Sequence, residues 1–521
     1  MKKIAIILLW LTVSAKAQII PYDFSLEEKS LSKINSSSPT PLGNSITDIV
    51  VSGDTIILGT SKGLSISYNR GESWNNFYGH PDFGTESISA VAYKNGYIWI
   101  ATAHSVERDN QIMPEGSGLR FSSDGGKTWN TIPQPVDHKD SNKVYYGNNT
   151  LNALPITTTI NNITYDIGLT NDAVWIASFA GMLRKSTDFG KTWQRVVIPP
   201  DNLDSIKESE TYNNFTLSPT SGNLGLQNNL NHRVFSIYVE NDSTIYVGTA
   251  GGINKTTDGG KSWKKFNKQN QTNHISGNFV VALSGMKFEG KTYVYGATWK
   301  AEDLTETYGI SISSDGGMNW IISNENERIH NFGFYNQIAY AAGSNGLFRS
   351  DDFGNSWIKA PTIVDTLTKQ RISTNTFYSV NTQGNIIWVG SSDGLARTTE
   401  TGFPWASPWR VYISYVPVKN ISETYAYPNP FDPENDVLKI KYTTEGSDEK
   451  VTIRIYDTGF NLVKTIIQNA PRSGLIDIRL QQTETWNGKD EFGKIVPNGV
   501  YFYSVQIGSK EPIFGKILVI R

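Results

Sequence analysis

The chain has 521 residues, a formal net charge of −2 and no cysteine. That length exceeds what one hydrophobic core usually organises, so at least two domains are expected, and the near-zero charge lacks the basic surface that nucleic-acid binding requires. The lack of cysteine excludes disulfides, thiolate metal sites and cysteine nucleophiles. Aromatic residues make up 12% of the chain and fall in short β-rich runs separated by turn residues, which favours an all-β protein.

The first predicted element is a signal peptide at residues 1–17. Two lysines precede an apolar run from Ile4 to Leu11, and Ala15 and Ala17 form a small-residue cleavage site before Gln18. A membrane anchor is the alternative, but an apolar run of about 10 residues is shorter than the roughly 20 that cross a bilayer. The sequence therefore predicts an exported protein, secreted or at the outer cell surface, with no transmembrane span in the mature chain.

Downstream, one eight-residue pattern, Ser/Thr-x-Asp-x-Gly-x-x-Trp, recurs seven times. We call these segments box turns; they are residues 67–74, 122–129, 186–193, 256–263, 313–320, 350–357 and 398–405. The third residue can accept backbone N–H groups within a tight turn, and the glycine permits a positive φ. We expect structural roles for the third and eighth residues, which are Asn69, Asp124, Asp188, Asp258, Asp315, Asp352 and Glu400, and Trp74, Trp129, Trp193, Trp263, Trp320, Trp357 and Trp405.

Each box turn follows strand segments with alternating apolar residues, so the repeating unit is a four-stranded meander, A-B-C-D, in which the box turn joins C to D. Asn95-Gly96 is typical of the two-residue turn that joins A to B. Seven such sheets can bury their faces against one another only in a radial arrangement, which predicts a seven-bladed β-propeller at residues 18–420. We expect the ring to close by pairing residues 19–46 with the last strand, 409–415.

The box turns resemble the Asp-box (BNR) repeat of sialidases, sortilin-type receptors and photosystem assembly propellers, over residues 45–416. The resemblance implies that each box is a structural turn and not a catalytic site. Sialidases of that family carry an arginine before the first box as part of a substrate-binding cluster, whereas the first arginine here is Arg70, inside it. One carboxylate per turn is also too few for calcium, so no metal site is predicted.

The long insertions lie in the B–C and D–A loops, which share the rim of the propeller opposite the box turns; we call it the loop rim. Long loops in compact domains are usually functional or disordered, so we expect the loop rim to bind a protein or glycan ligand. The candidate binding residues are Lys62, His104, Glu107, Arg108, Asp109, Phe179, Trp299, Glu302, Asp303, Tyr308 and Asp393.

An enzymatic alternative depends on acidic pairs in the same loops, Glu107 with Asp109 and Glu302 with Asp303. Inverting glycosidases use two carboxylates about 6.5 to 9.5 Å apart, and closeness in sequence does not establish that separation. A polysaccharide-active glycoside hydrolase or lyase therefore stays an alternative to a non-catalytic binding protein. The six histidines lack metal-ligand spacing and no glycine-rich phosphate loop opens a helix, so no catalytic residue, metal or cofactor is predicted.

From Ile421 the repeat gives way to short alternating strands, which predict a small Ig-like β-sandwich at residues 421–521. The segments YPNPF at 427–431, WNGKD at 486–490 and VPNGVYFY at 496–503, with a closing GKILVIR, resemble the FlgD-type Ig-like fold and the C-terminal sorting domains of type IX secretion cargo. The resemblance implies that this domain engages secretion machinery or the cell envelope and serves secretion or surface attachment.

Overall fold

The computed structural model describes residues 38–520 except 214, 221–228, 301–305, 367–369, 415–417, 419, 435–436 and 474–480. The predicted signal peptide, Glu302 and Asp303 lie outside the described residues. Strands dominate the described chain, which contains one 3-10 turn at Leu230–His232. No helix in this part of the chain is long and apolar enough to cross a membrane.

Seven antiparallel sheets, here numbered blades 1 to 7, follow one another along the chain, and each contains a meander of four consecutive strands. This confirms the predicted seven-bladed, all-β propeller. Blade 1 contains β1 (Ile46–Ser52), β2 (Thr55–Thr60), β3 (Gly63–Ser67) and β4 (Asn75–Asn76), and blade 2 contains β5 (Ser87–Lys94), β6 (Tyr97–Arg108), β7 (Gln111–Ser122) and β8 (Asn130–Ile132). An inserted hairpin follows, formed by β9 (Lys143–Tyr146) and β10 (Asn149–Ala153). Blade 3 contains β11 (Thr164–Leu169), β12 (Val174–Ser178), β13 (Met182–Ser186) and β14 (Gln194–Arg195).

Blades 4 to 7 follow after a second insertion. Its strand β15 pairs with β20 and adds a fifth strand to blade 4, while β16 pairs with β10 of the first insertion. The inserted strands are β15 (Ser205–Lys207) and β16 (Thr216–Leu217). Blade 4 contains β17 (Val234–Val239), β18 (Ile245–Thr249), β19 (Gly252–Thr256) and β20 (Ser262–Phe266), and blade 5 contains β21 (Phe279–Phe288), β22 (Lys291–Trp299), β23 (Gly309–Ser313) and β24 (Ile321–Ser323). Blade 6 contains β25 (Ile329–Tyr335), β26 (Ile338–Gly343), β27 (Gly346–Ser350) and β28 (Ile358–Lys359), and blade 7 contains β29 (Phe377–Gln383), β30 (Ile386–Ser391), β31 (Gly394–Thr399) and β32 (Arg410–Tyr412).

The first strands of the blades form an inner ring in the order β1, β5, β11, β17, β21, β25 and β29, and β29 contacts β1 in turn. Residues 19–37 of the predicted closing segment lie outside the described residues; of the described remainder, Ser38 bridges to Trp74 in blade 1 and not to the last strand. Closure instead uses side chains: the Asn44 amide exchanges two hydrogen bonds with the Ser414 backbone, and Asn381 donates to the carbonyl of Ile49.

The box turns join the third and fourth strands of every blade, as predicted. In all five turns with Asp at the third position, its Oδ1 accepts the backbone N–H four residues later at 2.9–3.0 Å. Asn69 makes the same bond to Ser73 at 2.9 Å. In the first six box turns the glycine packs against the preceding blade: a Cβ on Gly260 would lie 3.0 Å from the Trp175 ring. The box turns therefore hold each blade against its neighbour.

Glu400 departs from this arrangement. Its carboxylate accepts the box N–H of Gly402, two residues later, at 2.7 Å, and it pairs with Arg349 of blade 6 through bonds of 2.9 and 3.2 Å. Tyr340 donates a further hydrogen bond to it. The ring of Trp405 also binds elsewhere, donating to the carbonyl of Ile358 at 3.1 Å. The seventh box turn thus joins blades 6 and 7 through a buried ion pair.

Two aspartates of the inner ring link neighbouring blades. Asp166 accepts the N–H of Ile167 at 2.8 Å and that of Ile237 in the next blade at 2.7 Å, and Asp48 does the same between blades 1 and 2. Burial raises the pKa of Asp48 to about 6, and burial together with the charge of Asp48 raises the pKa of Asp166 to about 7.

These pKa values predict a loss of stability with rising pH. The folded protein binds these protons more tightly than the unfolded chain, so the stabilisation is fully present below about pH 4 and is lost progressively as the pH rises to between 6 and 7. We expect the free energy of unfolding to fall by on the order of 2 kcal/mol between about pH 5 and about pH 8, measured by guanidinium chloride unfolding. Asp166→Asn should flatten this dependence, and an unchanged slope in that variant would contradict the assignment.

The C-terminal residues form a β-sandwich of two sheets, with strand orders β33-β34-β37 and β36-β35-β38-β39. Its core includes Phe431, Trp486 and Tyr503, all almost fully buried. Nζ of Lys439 on β34 lies 3.8 Å from the carboxylate of Asp393 in blade 7. The strands are β33 (Tyr425–Tyr427), β34 (Leu438–Thr443), β35 (Glu449–Tyr456), β36 (Leu462–Arg472), β37 (Gln481–Trp486), β38 (Gly499–Ile507) and β39 (Ile513–Val519).

Candidate binding site on the loop rim

The first long loop of the rim is an extension of the β6–β7 hairpin, whose pairing continues to Arg108 and Gln111. Asp109 and Asn110 form its turn with positive φ values, a conformation that Asp and Asn tolerate better than most residues. Glu107, Arg108 and Asp109 are consequently exposed at the tip. The hairpin projects these charges away from the inner ring.

His104 lies at the base of that hairpin between two carboxylates. Its Nδ1 is 2.8 Å from Glu86 and its Nε2 is 3.3 Å from Glu115. The Ser117 hydroxyl also donates to Glu86, at 2.8 Å, and the Thr159 hydroxyl donates to Glu115. The three ionisable side chains remain 23–37% exposed, so the cluster is ordered and still open to a ligand.

Trp299 is fully buried, and its indole N–H donates to the carbonyl of Ile329 at 2.7 Å. A ligand therefore does not stack on this ring. The guanidinium of Arg328 covers it instead, 3.8 Å from the ring centroid, and Lys300 follows Trp299 directly. Among the described residues neither Arg328 nor Lys300 forms an ion pair with a carboxylate. One cation thus covers a buried aromatic anchor.

Phe179 and Arg233 repeat this arrangement two blades earlier. The Arg233 guanidinium lies 5.1 Å from the Phe179 centroid, and its Nε donates to the carbonyl of Pro219 at 3.0 Å. Arg233 and Arg328 occupy the same position, directly before the first strands β17 and β25. Tyr308 is half-buried against the core cluster that contains Trp299.

Of the remaining candidates, Lys62 is buried, with 4% of its surface exposed. Asp393 accepts the N–H of Ser373 at 2.8 Å and faces Lys439 of the sandwich. No group of three or more histidine, aspartate or glutamate residues suited to a metal ion occurs in the described parts of the chain.

The sequence did not single out Glu86, Glu115, Arg233 or Arg328. A signal was present, because three of them immediately precede a first strand, whose N-terminal end lies at the loop rim. Glu115 carried no such signal, because its place beside His104 depends on the register of the extended hairpin.

No protein-family model matches the chain. A sialidase from Bacteroides fragilis (strain YCH46) is 28% identical over 165 residues, covering 29% of this chain and 28% of the relative, so the chain spans less than a third of that protein's length.

Similar solved structures include YCF48 bound to D1 peptide (14% identity, TM-score 0.42, 73% of this chain and 99% of that chain) and the GH74 enzyme of Niastella koreensis (12% identity, TM-score 0.46, 92% and 73%). PorZ, a surface component of the type-IX secretion system of Porphyromonas gingivalis, is a third (12% identity, TM-score 0.26, 92% and 75%). At these identities and scores, no activity carries over to this chain.

Proposed function

We propose that this protein is an exported or cell-surface, non-catalytic β-propeller that binds an acidic protein or glycan partner through the loop rim. The observation that supports this is the Arg328 guanidinium over the buried ring of Trp299. Arg328 is held in place by its contact with the ring and has no carboxylate partner among the described residues. A guanidinium fixed in this way offers donors with defined geometry to a carboxylate ligand.

Binding to two acidic polymers tests the proposal, with polygalacturonate as a glycan and poly-L-glutamate as a peptide. Arg328→Gln should weaken binding of at least one polymer about tenfold, since a charged hydrogen bond contributes about 1.4 kcal/mol or more. Arg397→Gln is the matched control. Arg397 also lies over a tryptophan ring, that of Trp388, but it forms an ion pair with Glu72 on the box-turn side of the propeller. Equal affinities of the two variants, or no binding of either polymer, would contradict the proposal.

We further propose that residues 1–17 are a signal peptide that is removed on export. Residues 18–420 form the binding domain, an Asp-box propeller. Residues 421–521 form a FlgD-like domain that serves secretion or surface attachment. The supporting observations are the sequence segments quoted above and a compact sandwich core around Trp486. A chain ending at residue 420 should stay inside the cell envelope of its host. Normal extracellular levels of that shortened chain would refute the role.

A second candidate, a glycoside hydrolase or lyase, is favoured by the cluster of Glu86, His104 and Glu115. Two carboxylates on opposite nitrogens of one imidazole could provide an acid and a base. Release of reducing ends from a polysaccharide panel, abolished by both Glu86→Gln and Glu115→Gln, would establish it. Product release that persists in both variants, or no product release by the wild-type protein, would reject this enzymatic candidate in favour of the binding function.

A further inference from the structure

A cavity of about 390 Å³ opens between blades 2 and 3 on the side of the box turns. Its walls are the A–B turns of the two blades, 94–97 and 169–174, and the box turn 186–193. Ligand sites in proteins have volumes of about 300–1,000 Å³. The cavity lies on the face opposite the loop rim, so the binding site proposed there does not explain it.

Aromatic rings form one wall of this cavity. The Tyr97 ring stacks on Phe121 with centroids 5.7 Å apart and an angle of 11°, and Phe189 contacts both rings at 5.9 and 5.4 Å. Phe121 is buried, but Tyr97 and Phe189 are 38% and 55% exposed. Two neighbouring rings, Tyr97 and Phe189, thus present apolar surface to solvent at the cavity mouth.

Phe189 holds this place at a conformational cost. Its φ is +58°, where three other box turns have glycine, as at Gly125 with φ +75°. A bulky residue in this region costs on the order of 1–3 kcal/mol and persists only when its surroundings or its function require it. The box turn itself does not require phenylalanine, because the glycine turns make the same backbone bonds.

Phe353 provides the comparison within the same chain. It occupies the same box position with φ +62° but stacks on Tyr293 at 4.7 Å, is covered by Phe288 at 5.8 Å and is half-buried. Packing therefore offsets the strain at Phe353. Phe189 is more than half exposed to solvent, so packing offsets less of its backbone strain than at Phe353.

The polar groups of the cavity suit an uncharged ligand. Nζ of Lys94 lies 3.1 Å from Asp242 and 3.3 Å from the carbonyl of Leu169, so its charge is already compensated. Asn95 and Asp172 are exposed and line the cavity; Asn95 can donate to or accept from hydroxyl groups, and Asp172, which already accepts from the Thr170 hydroxyl at 2.8 Å, can accept from them. The cavity thus combines an apolar ring surface with hydrogen-bonding groups and no uncompensated cation.

We propose that this cavity binds a neutral saccharide. The C–H face of one hexopyranose unit packs on Tyr97 and Phe189, and its hydroxyls bond to Asn95 and Asp172. A sugar ring has this division into an apolar face and a polar edge, whereas an apolar peptide side chain would leave the polar groups of the cavity unbonded. The site is separate from the loop rim and takes a ligand of different charge.

Calorimetry with cellohexaose, maltohexaose and mannohexaose tests this site. We expect at least one to bind the wild-type protein with a Kd of about 1 mM or tighter. Phe189→Gly should weaken that binding at least about tenfold, as truncation of a central aromatic contact commonly does. Its unfolding temperature should not fall, because glycine adopts this φ without strain.

Phe353→Gly is the control and should bind the sugar like the wild type. Wild-type affinity in Phe189→Gly, or failure of all three oligosaccharides to bind, would overturn the proposal. Binding of N-acetyl-phenylalaninamide in place of the sugars, lost in Phe189→Gly, would also overturn it and would identify an apolar peptide site.

Discussion

Replacing Glu400 by glutamine should lower the free energy of unfolding by about 3 kcal/mol, the lower end of the cost of removing one partner from a buried ion pair. The side chains of Arg349 and Glu400 are 0% and 4% exposed, and Asp351 also pairs with Arg349, at 2.9 Å. Although burial opposes it, hydrogen bonds from Arg349 and Tyr340 hold the pKa of Glu400 below its usual value. Chemical unfolding followed by tryptophan fluorescence measures the loss.

Glu400→Asp is the sharper variant, because it restores the common box sequence. The shorter side chain cannot keep both bonds to Arg349, so we expect destabilisation by on the order of 2 kcal/mol despite the better match to the pattern. Asn69→Asp is the matched control: it restores the pattern where the local bond to Ser73 already exists, and its effect should stay within about 0.5 kcal/mol. A stabilising Glu400→Asp would contradict the assigned role of the ion pair.

The second large effect is expected at Asp137, which fixes the insertion between blades 2 and 3. Its carboxylate lies 2.8 Å from Arg184 and 3.5 Å from Arg195, with all three side chains at most 7% exposed. It also accepts the N–H of Ile156 at 2.8 Å. Asp137→Ala leaves two buried cations without this anion, at a cost of about 3–5 kcal/mol.

We expect Asp137→Ala to unfold at lower denaturant concentration and to become sensitive to protease between residues 131 and 162. Asp140→Ala is the control, because Asp140 is 75% exposed and contacts the equally solvated His138. Protease resistance equal to the wild type in Asp137→Ala would show that other contacts hold the insertion. The insertion also supplies Thr159 to Glu115, so its loosening should disturb the cluster around His104.

The blade count and the position of the box turns were predictable because each depends on residues within one turn. Asp188 and Thr192 are four positions apart, and their bond needs no distant partner. The role of Glu400 was not predictable in this way, since Arg349 lies 51 residues earlier. The buried state of Trp299 likewise depends on Arg328 and Ile329 from the next blade.

The cavity at Phe189 was also missed, although a signal existed. Phenylalanine replaces glycine at one position of two box turns, and at that position a side chain must adopt a positive φ. The sequence alone did not separate the covered Phe353 from the exposed Phe189. That distinction depends on Phe288 and Tyr293, which belong to a neighbouring blade.

Hydrogen–deuterium exchange of the mature protein, with and without saturating polygalacturonate, tests the loop-rim binding site most directly. We expect slower exchange at residues 306–310 and 327–330, around Trp299 and Arg328, and no change in the seven box turns. Protection confined to the box turns, or no protection at either stretch, would contradict a partner site on the loop rim.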